Sequence, residues 1–122
     1  MHLLHTSLEP DEMTALYAIA DVCFIASLRD GMNLVCYEYI ACHTASSLPQ
    51  AIIPGALVLS RFAGAAPMLK EAFLVNPWDK EDCSTALAGA LSMSATEARE
   101  RMTQLGHRMA AQTRCVTFRA YN

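Results

Sequence analysis

With 122 residues, 53% of them hydrophobic and only 17% charged, the chain has a core-forming composition and room for one domain at most. A net charge of −3 argues against a general nucleic-acid or anionic-membrane surface, because each needs a basic balance. No apolar run reaches the ~18 residues of a membrane span, and the opening Met1-His2-Leu3-Leu4-His5 lacks the basic and apolar regions of a signal peptide. The five cysteines (Cys23, Cys36, Cys42, Cys83 and Cys115) are odd in number and show no CxxC spacing. They read as reduced thiols of a cytoplasmic protein, without the ligand spacing of a zinc site.

The first predicted element is a helix from Pro10 to Ala20. Met13, Leu16, Tyr17 and Ala20 share one face, and Pro10 suits a first turn. Val22 to Ala26 is a short apolar run of the kind found in buried parallel strands. Met32 to His43 reads as helix. Thr44 to Pro54, with two serines together, two prolines and little periodicity, reads as a loop that is long for a compact domain. Ala56 to Ser60 is the second strand. Phe62-Ala63-Gly64-Ala65-Ala66 reads as a tight turn into a short helix, and Phe73 to Asn76 as the third strand, ended by Pro77-Trp78-Asp79. Asp79 can cap a helix running to Ser92, with Leu87 and Leu91 on its apolar face. Ser94-Ala95-Thr96-Glu97 has the form of a capping box and opens a last helix of about fifteen residues.

Alternation of helix and strand predicts a parallel sheet with right-handed crossovers. Only three strands are visible, where a doubly wound domain has about five or six. The expected fold class is therefore α/β, a partial Rossmann-like parallel sheet with flanking helices. The chain reads as the second half of a domain.

The segment Leu28-Arg29-Asp30-Gly31-Met32-Asn33-Leu34-Val35, followed by Glu38, lies where a strand ends and a helix begins. Ligands of open α/β sheets bind at that end of the strands, and helix N-termini favour anions such as a diphosphate. Asp30 and Gly31 are also explained by an ordinary cap and a sharp turn. A cap does not explain Asn33 or Glu38. Glu38 stands eight residues beyond Asp30, roughly 12 Å along a helix, which matches the reach of a sugar-diphosphate-ribose chain. Phe62-Ala63-Gly64-Ala65-Ala66 is small enough to let a ligand approach the backbone closely, or a helix pack tightly on the sheet. His2, His5, His43 and His107 are scattered and form no metal-ligand pair on a helix face. Met102 and Met109 read as core, and the stretch Glu97, Arg99, Glu100, Arg101 as a solvated face. There is no Gly-x-Ser-x-Gly, Walker A or Gly-x-Gly-x-x-Gly.

Taken together, these residues resemble the trehalose-6-phosphate synthase family, retaining GT-B glycosyltransferases of family 20. The resemblance rests on Ala15 to Val22, on Ser27 to Val35 with Tyr37-Glu38-Tyr39 and Ala41-Cys42, on Leu57 to Ala66, and on Val75-Asn76-Pro77-Trp78-Asp79. It covers residues 10 to about 105, in the family's order. It implies that residues 1–122 are the later part of a GT-B C-terminal domain, the one that binds UDP-glucose, and that the N-terminal acceptor domain is absent. The implied reaction moves glucose from UDP-glucose to glucose-6-phosphate, with retention, in trehalose biosynthesis. Asp30 would bind donor-glucose hydroxyls, with the backbone of Gly31, Met32 and Asn33 near the same sugar. The N–H groups of Leu34 and Val35 would bind the diphosphate, and Glu38 the ribose hydroxyls. Neither metal nor cofactor is implied, since UDP-glucose is a substrate. No catalytic residue is assignable, because the acceptor site and the basic diphosphate clamp lie elsewhere in such enzymes. The expected partners are UDP-glucose or UDP, with glucose-6-phosphate bound only when the missing domain is present; nucleic acid and membrane are not expected.

The chain on its own is expected to be inactive. The alternative function is a non-catalytic nucleotide-sugar-binding or regulatory module that pairs with a full synthase subunit. A receiver-like signalling domain shares the element order, but its paired acidic residues near the start of the chain are not evident.

Overall fold

The computed structural model describes residues 7–45 and 54–120, with side chains as far as residue 112. The elements run α1 (Pro10–Ile19), β1 (Val22–Ile25), α2 (Leu34–Thr44), β2 (Ala56–Ser60), β3 (Phe73–Val75), α3 (Lys80–Ser92) and α4 (Ala95–Ala120). The three strands form one parallel sheet in the order β1-β2-β3. Val22 lies opposite Ala56, and Val58 opposite Phe73. The expected α/β class, with three parallel strands and flanking helices, is what the chain adopts.

Side chains alternate across the strands and divide the core in two. Ile25, Leu57 and Leu59 meet Cys36, Tyr39 and Ile40 of α2 and Met102 and Leu105 of α4. On the other face Ala56, Val58 and Val75 meet Ala90, with Cys83, Ala86 and Met93 packed alongside. The inward face of α3 is therefore made of small residues. Leu91, expected on that face, is 63% exposed. A thin layer of alanine lets α3 lie close to the sheet, and the larger leucine falls outside the contact.

Local signals account for most of the helix ends. Pro10 opens α1, and Glu9 and Glu12 close a reciprocal capping box around it. Tyr17 and Ala20 pack on the core as expected, while Leu16 is 39% exposed and stands outside it. Asp79 caps α3 by accepting the N–H groups of Glu81 and Asp82. Ser94 Oγ accepts from the N–H of Glu97, but the Glu97 carboxylate turns to Arg101 at 3.0 Å instead of completing a box.

Three expectations need correction. α2 begins at Leu34 instead of Met32, because Asn33 is its cap. The expected short helix after Phe62–Ala66 is a run of turns: Ala63 O accepts from Ala66 N, and Ala65 O from Met68 N and Leu69 N. Pro67 has no N–H and disfavours helical geometry in the residue before it, so the helix does not propagate. α4 extends over 26 residues, well past the expected fifteen, and Gly106 does not interrupt it. The expected loop from Thr44 to Pro54 falls mostly outside the described residues. Thr44 itself is the last residue of α2.

The charged stretch on α4 is also more than a solvated face. The Arg101 guanidinium lies 4.7 Å from the centre of the Phe73 ring and donates to Glu71 O. Arg108 grips both oxygens of the Glu71 carboxylate at 2.6 Å. α4 is thus tied to the segment leading into β3. Met102 is buried and Met109 packs against the core, as the sequence predicts. Among the described residues no helix is long and apolar enough to cross a membrane.

Candidate functional site

The loop after β1 and the turns after β2 emerge side by side at the C-terminal ends of parallel strands. They touch through the backbone. Asp30 and Ala63 form an isolated parallel bridge, and Gly64 N–H donates to Asp30 O at 2.9 Å. A Cβ on Gly64 would collide with the Gly31 carbonyl. Gly64 therefore serves close contact between two chain segments, and the segment it admits is the candidate site itself.

Gly31 behaves differently. It has no positive φ, and a Cβ there would meet nothing within 4 Å. The sharp turn expected from the sequence is not what calls for glycine. Its exposed backbone faces open space, which a ligand can enter.

Asn33 organises the start of α2. Its Oδ1 accepts from Cys36 N–H at 3.0 Å, and its Nδ2 donates to Asp30 Oδ2 at 2.8 Å. The capping role that the sequence offered to Asp30 falls to Asn33. Asp30 is held by the cap instead, half-buried, with its carboxylate fixed beside the helix start. Leu34 and Val35 occupy the first two helical positions, whose N–H groups have no acceptor inside a helix. The first turn of α2 carries no acidic residue, so nothing on the helix itself competes with an anion there. α3 shows the contrast: its first turn contains Glu81 and Asp82, and Asp79 already occupies its N–H groups.

Glu38 stands one turn beyond Leu34 on the same helix face. It is exposed, and its Oε2 accepts from the Tyr17 hydroxyl at 3.1 Å. The structure thus gathers Asp30, Gly31, Met32, Asn33, Leu34, Val35 and Glu38 along one loop and the first turns of α2. The side chains of Leu28, Met32, Leu34 and Phe62 are exposed around that loop. Cys36, directly beneath, is fully buried, and burial pushes its thiol up to about 11. It is a packing residue and not a nucleophile.

A polar depression of about 440 Å³ lies elsewhere, lined by Arg61, Asn76, Asp79, Glu81, Asp82 and Thr85. Two of its charged side chains are paired with each other: Asp82 accepts from Arg61 at 3.0 Å, and also from Asn76 N–H at 2.7 Å. Among the described residues no group of three or more His, Cys, Asp or Glu side chains could hold a metal ion. Cys23, Cys36, Cys42 and Cys83 are free thiols; the Cys115 side chain lies outside the described residues.

Two features of the site are absent from the sequence reading, the Tyr17–Glu38 bond and the docking of Gly64 on Gly31. Tyr17 stands 21 residues from Glu38 and on another helix, so no spacing rule joins them. For Gly64, the hint was a glycine set among alanines at a strand end.

The family model for glycosyltransferase family 20 matches residues 1–115. The chain belongs to that family. It is 46% identical over 105 residues to the UDP-forming alpha,alpha-trehalose-phosphate synthase of Yarrowia lipolytica, covering 86% of this chain and 21% of the relative. A solved E. coli structure bound with UDP-2-fluoro glucose is 36% identical, with a TM-score of 0.79 over 88% of this chain and 23% of that one. A Burkholderia xenovorans alpha,alpha-trehalose-phosphate synthase in complex with glucose-6-phosphate is 40% identical, with a TM-score of 0.77 over 87% and 22% of the two chains. This family 20 chain therefore spans about a fifth of the length of the relatives it matches. The family resemblance drawn from its motifs is borne out, and what the chain matches is one part of those relatives.

Proposed function

We propose that this chain is the later part of the C-terminal, nucleotide-sugar domain of a retaining, UDP-forming trehalose-phosphate synthase. The observation that carries the reading is the start of α2. A fixed carboxylate, an uncapped pair of N–H groups and a second carboxylate one turn on follow each other along one exposed strip. That sequence of groups fits a hexose, a diphosphate and a ribose in turn.

In this reading Asp30 binds hydroxyls of the donor glucose, and the open backbone at Gly31, Met32 and Asn33 lies against the same sugar. The N–H groups of Leu34 and Val35 hold the diphosphate, and Glu38 takes the ribose hydroxyls. As the glycosidic bond breaks, negative charge grows on the departing UDP. Fixed N–H groups and the helix dipole stabilise that charge more in the transition state than in the ground state. UDP-glucose is the donor substrate, and the reading calls on no metal or cofactor. Glucose-6-phosphate is the acceptor, bound by a part of the enzyme outside this chain. The working compartment is the cytoplasm, in keeping with thiols left free. The synthases among its relatives favour this function over a stand-alone binding module.

The test is Glu38→Ala in protein that carries a complete nucleotide-sugar domain, with UDP-glucose affinity measured by calorimetry. Loss of hydrogen bonds to a charged group predicts about tenfold weaker binding or more. Unchanged affinity contradicts the ribose role.

A further inference from the structure

The Glu38 carboxylate is not free to swing. Tyr17 O–H donates to its Oε2 at 3.1 Å, while among the described residues no bond to Oε1 competes for a ligand. Tyr17 is itself fixed from several sides. Its ring meets the edge of Tyr39 with centroids 6.4 Å apart, and its carbonyl lies 2.9 Å from His43 Nε2. Tyr39 O–H reaches back to Ala20 O at 2.9 Å. The end of α1 is thus fastened to three residues of α2, namely Glu38, Tyr39 and His43.

We propose that Tyr17 is a positioning residue for nucleotide recognition: its hydroxyl holds one oxygen of Glu38 so that the other faces the ribose of a nucleoside diphosphate. The inference rests on the reading of Glu38 as the ribose ligand. A glutamate has several rotatable bonds, and a free one loses that freedom on binding. Tethered by Tyr17, it has already lost it. Burial, and then the neighbouring Glu38, push the Tyr17 phenol up to about 12. The hydroxyl therefore remains a donor throughout the physiological range.

Tyr17→Phe removes the hydroxyl and keeps the ring packed on Tyr39. The readout is the preference for UDP over 2′-deoxy-UDP, measured on the full chain by saturation-transfer NMR competition, which detects weak binding. The wild type prefers UDP, Glu38→Ala abolishes the preference, and Tyr17→Phe lowers it by about three- to tenfold. A purely structural role for Tyr17 weakens both ligands equally and leaves the preference intact, which overturns the inference. If Glu38→Ala loses the preference while Tyr17→Phe keeps it, the positioning role fails and the ribose reading stands. If the wild type shows no preference, or Glu38→Ala keeps it, the ribose reading fails and the positioning role falls with it.

Discussion

Gly64→Ala separates the glycine held in a close backbone contact from Gly31, which faces open space. The new methyl group would overlap the Gly31 carbonyl, which is backbone and cannot rotate away. Relief requires the turn after β2 to part from the loop after β1, and this lengthens or breaks the Gly64 N–H to Asp30 O bond of 2.9 Å. Overpacking against fixed atoms costs about 1–3 kcal/mol, and the net loss of one hydrogen bond adds about 0.5–1.5 kcal/mol. The sum is about 2–4 kcal/mol, a large fraction of the marginal stability of a small domain. In a urea titration followed by circular dichroism, a slope near ~1.3 kcal/mol/M turns that loss into a midpoint lowered by roughly 1.5–3 M. The matched control is Gly31→Ala, whose Cβ meets nothing within 4 Å. Its stability stays within about 0.5 kcal/mol of the wild type, yet it weakens UDP-glucose binding by filling the space a sugar would enter. A Gly64→Ala chain as stable as Gly31→Ala would refute the docking argument. A Gly31→Ala chain with undiminished donor binding would refute the open-backbone argument.

The remaining predictions concern acid stability and self-association. Arg108 hydrogen bonding holds the Glu71 carboxyl below its ordinary value of 4.5. The folded form thus binds the Glu71 proton less readily than the unfolded form does, so the pair stabilises the fold above that value and loses its effect as pH falls through the lowered one. Glu71→Gln should flatten the acid limb of stability against pH below 4.5 and leave the neutral region's slope unchanged, as read by thermal unfolding; an identical acid limb would show that the pair does not contribute. Among the described residues β1 has a neighbour on one side only, and Phe24 on it is 43% exposed. Such an edge invites pairing, so the isolated chain should associate with rising concentration in light scattering, and Phe24→Lys should reduce it. A monodisperse wild-type monomer with a sharp unfolding transition would count against this.

The local features of this chain were written in its sequence because they depend on neighbours along it. Pro10, Asp79 and Ser94 mark helix starts, since a helix end is satisfied by residues one to three positions away. Val22–Ile25 and Ala56–Ser60 read as strands because each is a short apolar run, but of the two expected to be buried only β2 is buried throughout. In β1 Ile25 alone is buried and Phe24 is exposed, because β1 lies at the edge of the sheet. The four motifs between Ala15 and Asp79 together named the family, and the stretch from Asp30 to Glu38 marked the candidate site. What the sequence could not reveal were relations between distant segments. The turns after β2 meet the loop after β1 only once both strands stand side by side in one sheet. Only then does Gly64 meet the Gly31 carbonyl and donate to Asp30 O. On α3 it is Cys83, Ala86 and Ala90 that pack on the sheet, while Leu91, expected on that face, is exposed. Tyr17 reached Glu38 because α1 packs across α2. Chain-local hydrogen bonding and hydrophobic pattern decide the elements; which side chains then meet is decided by packing, a property of the whole fold.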